Sequence, residues 1–122
     1  MNARATLLLT GCLLSLMVPP ARAAPPAAVA TGSYECWGHG TARLLLNFKV
    51  TGKSNYSDPD GKERGSFVYD SASGAIAFKG GHLDGVMPTG FTSVYHESKN
   101  VPTVSFRSGR GAEASFCERA GK

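Results

Sequence analysis

Gly32-Ser33-Tyr34-Glu35-Cys36-Trp37 decides how this chain is read. It opens the first stretch with strand character. It also carries one of two cysteines that remain once a leader is set aside. The other, Cys117, lies close to the C-terminus. A Cys36–Cys117 pairing joins the first strand to the last and lets the sheet between them close. A covalent loop of about 80 residues is worth about 4.5 kcal/mol in the chain-entropy account. Against a total domain stability of about 5 to 10 kcal/mol, that is a large share.

Before this stretch the chain does not read as fold. Met1 and Arg4 belong to a short basic start, and an apolar, leucine-rich run reaches Val18. Pro19-Pro20 follows, then Ala21-Arg22-Ala23, with small residues where a signal peptidase reads. Residues 1–23 are therefore expected to be a secretory signal peptide, too short to span a bilayer. Leu9-Thr10-Gly11-Cys12 also has the form of a bacterial lipoprotein box, which would lipidate Cys12. The apolar run continues past Cys12, which favours the discarded-leader reading. The expected location is exported, periplasmic or secreted, in a bacterium.

The full chain has 122 residues, with 13 Lys plus Arg against 9 Asp plus Glu and a net charge of +4. Losing Arg4 and Arg22 with the leader lowers that charge to +2. The remaining cations form no run in the sequence. Nucleic-acid and membrane-surface binding are not indicated, and no membrane span is expected. Residues 24–31 are rich in Ala and Pro and read as a disordered or extended tail. Residues 32–119 form one domain, and residues 120–122 a short tail. Two cysteines in an exported chain read as one disulfide.

From Gly32 onward the pattern is short strands with turn signals and no sustained helical period. Strands are expected near residues 32–37, 42–50, 53–58, 64–70, 75–79, 91–97, 101–107 and 112–118. The second is read with Leu44, Leu46, Phe48 and Val50 on one face. Asp58-Pro59-Asp60-Gly61 is a turn, with Pro fixing φ and Gly accepting a positive one. The expected fold is all-β: an antiparallel eight-stranded meander closed into a small barrel, with a two-sheet sandwich as the alternative. Closure removes the sheet edges.

Residues 80–90 break the rhythm, with four glycines and Pro88. No HExxH, GxSxG or paired CxxC occurs. His82 and Asp84 could form an acid–base pair, but no nucleophile stands beside them. Cys36 and His39 lack the further ligands a metal site needs. No enzyme activity, cofactor or metal is expected. Asn55-Tyr56-Ser57 has the form of a glycosylation sequon, which matters only in a eukaryotic secretory pathway. Trp37, beside the Gly38-His39-Gly40 turn, reads either as an exposed anchor for a partner or as packing over the disulfide or barrel end.

Two resemblances rest on short motifs. Gly32-Ser33-Tyr34, opening an eight-stranded antiparallel chain, resembles the Gly-x-Trp start of lipocalin-type barrels, with Tyr in place of Trp. Tyr34-Glu35-Cys36, Ser71-Ala72-Ser73-Gly74-Ala75 and Lys79-Gly80 together resemble the bacterial periplasmic and membrane-bound inhibitors of c-type lysozyme, small exported eight-stranded barrels. That resemblance implies that the serine loop and Lys79 enter a lysozyme cleft. The chain departs from the pattern in having Ile76-Ala77 where a tyrosine is expected, with a compressed spacing to Lys79.

The sequence therefore points to an exported, non-enzymatic binding or inhibitor module that uses loop surfaces. Its partner would be another exported protein or a cell-envelope component. Inhibition of a lysozyme-like hydrolase and carriage of a small apolar ligand are the alternatives. The second needs a cavity that the six phenylalanines would tend to fill. The candidate binding residues are Ser71, Ser73, Lys79, His82, Asp84 and Trp37.

Overall fold

The computed structural model describes residues 24–121. The expected leader and the Cys12 lipoprotein reading lie outside these residues. The strands are β1 (Gly32–Gly38), β2 (Thr41–Ala42), β3 (Phe48–Val50), β4 (Asn55–Ser57), β5 (Arg64–Tyr69), β6 (Ile76–Lys79), β7 (Thr92–Ser98), β8 (Val101–Arg107) and β9 (Glu113–Arg119). Neighbours run in the order β6-β5-β4-β3-β1-β9-β8-β7, and β2 pairs with β1 off that path. The result is a nearly closed antiparallel barrel of eight strands, with β2 as a short side arm.

The first and last strands are neighbours, as the cysteines imply. Cys36 stands directly opposite Cys117 in the β1–β9 ladder, and the two are joined across 81 residues of chain. The unsealed seam lies elsewhere, between β6 and β7. There the strands meet only at the Ala75–Val94 bridge, where the Tyr95 N–H donates to the Gly74 carbonyl at 2.8 Å. This is where residues 80–91 replace the tight turns used elsewhere.

Alternation decides what fills the barrel. β1 sends Tyr34 and Cys36 inward and Ser33, Glu35 and Trp37 outward. β3 adds Phe48 and Val50, and β6 adds Ile76 and Phe78. Tyr34 stacks on Phe48 at 4.7 Å between ring centroids. Phe78 meets Tyr56 edge-on at 5.0 Å and Phe48 at 5.5 Å. Such pairs add about 0.5–1.5 kcal/mol each beyond the area they bury. The interior is packed with rings.

The expected strand over residues 42–50 is broken. Trp37 pairs with Ala42 and Tyr34 with Phe48. The two β1 residues between those rungs therefore face five, Arg43 through Asn47, and the surplus must leave the sheet. It does so as a 3-10 turn, Leu44–Leu46. Cys36 keeps its backbone partners without a strand, since its carbonyl accepts from Arg43 N–H and its N–H donates to Asn47 Oδ1, both at 2.8 Å. Leu44 is 72% exposed, not the core-facing residue that the period-two pattern suggested, and Leu45, read on the opposite face, is 91% exposed.

Residues 24–31 form no regular element, but they are not a free tail. Val29 is buried in the core. Three tyrosines hold the segment across one end of the barrel. Tyr69 O–H donates to the Pro26 carbonyl, and Tyr34 O–H donates to the Ala30 carbonyl at 2.6 Å. Ala30 N–H donates to Tyr95 Oη at 2.9 Å. The composition argument failed here because it weighed the segment's own apolar content and not the acceptors its backbone offers to buried phenols.

Burial raises the Tyr34 phenol far above its ordinary value near 10, and the charge of Tyr95 adds to the effect. Burial is also the first cause of the raised values of Tyr56 and Tyr69. The folded chain thus keeps protons that the unfolded chain gives up near pH 10. The associated stability is complete below that pH and is lost as pH rises toward the raised folded values. The urea midpoint should fall as pH rises above about 10, more steeply than in Tyr34→Phe. A flat midpoint, or one with the same slope in the variant, would contradict this.

Candidate functional site

The seam and the long loop make one site. Residues 80–91 leave the end of β6 and return to the start of β7. The loop's first half is pinned. Tyr56 O–H donates to the Gly80 carbonyl, and Leu83 N–H donates to Tyr56 Oη at 3.2 Å. Asp84 Oδ2 accepts from Gly80 N–H at 2.8 Å. Leu83 is driven into the core. The second half, from Asp84 to Gly90, is exposed apart from the half-buried Met87.

That second half walls a cavity of about 380 Å3 in the seam. Ile76, Phe78 and Phe106 reach it from the barrel, and Val86, Met87 and Phe91 from the loop. The volume falls within the range of small-ligand sites, about 300–1,000 Å3. Room for an apolar group thus lies where the ladder stops, against the core residues Ile76, Phe78 and Phe106.

The expected site residues do not converge. Ser71 and Ser73 occupy the turn before β6, and Lys79 is the last residue of β6, so they sit at opposite ends of that strand. Ser73 Oγ is committed to its own turn, donating to Asp70 Oδ2 at 2.9 Å and accepting from Ala75 N–H at 3.2 Å. The Ala72 N–H, and then the Ser73 hydroxyl, hold the Asp70 carboxyl below its usual range. Ser71 is exposed. Trp37 projects from the outer face of β1, opposite Ala42 and Phe116, and is 38% exposed. It therefore does not plug the barrel end.

His82 and Asp84 share the loop but not a hydrogen bond. His82 Nε2–H donates to the Asn47 carbonyl at 2.8 Å, and its ring leans on Tyr56. Its Nδ1 is buried without a partner. His82 lies in the loop's pinned half, and Asp84, where the exposed half begins, reaches back to hold Gly80. Sequence reasoning missed Tyr56 as the clamp and Met87 and Phe91 as walls. The available signal was four apolar residues, Leu83, Val86, Met87 and Phe91, inside a glycine-rich stretch.

A second polar chain lies on the outer face of β7–β9. Ser105 is fully buried, donates to Glu113 Oε2 at 2.6 Å and lies 2.7 Å from His96 Nε2. Because a carboxylate only accepts, the serine proton is committed to Glu113 and His96 must donate. The serine stands in the middle of the chain, so it is not set up as a nucleophile with a base behind it. Among the described residues, no three His, Cys, Asp or Glu side chains gather as a metal site would require. No described helix is long and apolar enough to cross a membrane.

No protein-family profile, curated protein or solved structure matches the chain.

Proposed function

We propose that the protein is an exported, non-enzymatic binding module that recognises an apolar group through the seam cavity and the 80–91 loop. The observation that carries this reading is the loop's division into two halves. Its stem is clamped by Tyr56, while its apolar tip stands exposed over the one break in the barrel ladder. A loop longer than a hairpin needs is commonly functional, and an apolar side chain or alkyl group seated in such a notch is the usual anchor of recognition. The ligand is then held in the barrel wall, not carried inside it. Ser71, Ser73 and Lys79 are not among the residues that line the cavity, so the reading does not depend on them.

Nile red tests it as a fluorescent apolar probe. The wild-type protein should bind about one equivalent, with a blue shift and enhanced emission, as expected for one small-ligand site. Met87→Lys, which places a charge in the wall, should abolish the enhancement while the variant keeps the wild-type far-ultraviolet circular dichroism and a cooperative thermal transition. Absence of enhancement with wild type, or equal enhancement with the variant, would overturn the proposal.

A further inference from the structure

The charges that look scattered along the sequence are gathered by the barrel. On the outer face, Lys49 of β3 pairs with Ser57 of β4, and Ser57 pairs with Arg64 of β5. The three form one rung, with a cation at each end. The next rung runs from Asn55 through Ser66 to Lys79. Lys49, Arg64 and Lys79 are all exposed, and each belongs to a different strand.

The first rung crosses a groove of about 540 Å3, into which Thr51, Asn55 and Gly61 also reach. No carboxylate lines it. The acids next to this rung in sequence, Asp58 and Glu63, are not among the lining residues, and Asp58 is turned into its own loop, where Oδ1 accepts from Lys62 N–H at 2.7 Å and Glu63 N–H at 3.1 Å. Ser57 is buried and gives its proton to the Asp58 carbonyl at 2.8 Å. The strong donors left to a ligand are therefore the two cations, with the Asn55 amide and the Thr51 hydroxyl beside them.

We propose that this groove binds a tetrahedral oxyanion, phosphate or sulfate, held between Lys49 and Arg64. Two strand spacings separate the backbones of the two cations, about 10 Å, and both side chains are long enough to meet over the buried serine. Cations closing from two sides match two charges on the ligand, and the guanidinium adds a forked contact that an ammonium cannot make. The group is either a free inorganic ion or the same group borne on a sugar. This site is separate from the seam cavity and does not depend on its function.

The test is a titration followed by backbone amide NMR, with inorganic phosphate, inorganic sulfate and a sulfated disaccharide as the three probes. Saturable shifts are expected at the amides of Lys49, Asn55, Ser57 and Arg64. Lys49→Gln and Arg64→Gln should each weaken binding about tenfold or more, the effect of losing a charge-assisted hydrogen bond. Lys49→Arg should retain binding, and Lys53→Gln should leave it unchanged. Similar affinity for the free ions and the disaccharide assigns the site to the free ion. A markedly tighter disaccharide assigns it to the sugar-borne group. No saturable shift at these four amides with any probe, or wild-type affinity in both glutamine variants, overturns the proposal.

Discussion

Replacing Cys36 and Cys117 together by alanine is expected to lower the unfolding free energy by about 2–5 kcal/mol. The bridge closes an 81-residue span and so constrains nearly the whole unfolded domain. It also sits at a place in the ladder that needs support. Immediately beside it on the outer face, Glu35 stands opposite Glu118. Like charges directly opposite in an antiparallel pair are destabilising. Both cysteines are buried, so alanine rather than serine keeps an unpaired hydroxyl out of the core. Urea unfolding of the oxidised protein and of the double variant gives the difference. Raised salt should recover part of it by screening the glutamates. A loss below about 1 kcal/mol would mean that the ladder alone holds β1 to β9.

The second large effect is expected at Gly65. A Cβ built there would lie 2.6 Å from the Tyr56 ring and closer still to the Gly80 carbonyl. The carbonyl is backbone at the start of the pinned loop, so it cannot swing aside as the end of a flexible side chain could. Gly65→Ala should therefore cost about 3 kcal/mol, at the upper end of ordinary overpacking. It should also loosen the Tyr56 clamp, speeding amide exchange at Leu83. Gly52→Ala is the matched control. Its nearest neighbour is 3.5 Å away, and the change should be within about 1 kcal/mol of neutral. Equal effects of the two substitutions would show that β5 and the loop stem are not in close contact.

Much of the barrel was legible because alternation and turn chemistry agree. Ile76 and Phe78 alternate with exposed neighbours, and Gly61 takes the positive φ that its turn requires. The leucines at 44 to 46 misled because a period-two pattern does not count residues against the partner strand. The surplus appears only when the rungs at Ala42 and Phe48 are both fixed. Val29 was hidden because its burial depends on phenols from β1, β5 and β7. The long loop stood out as an anomaly, but which of its side chains face the seam depends on where β6 and β7 part. Lys49, Arg64 and Lys79 were likewise invisible as a group, since only the meander brings them to one face.

The most direct test of the seam as the recognition site is methyl NMR during titration with 1-octanol. The methyl signals of Ile76, Leu83, Val86 and Met87 should shift together and saturate, while those of Val29, Val50 and Val104 stay fixed. Shifts confined to the exposed Leu44 and Leu45, or no saturable shift at the seam methyls, would contradict it.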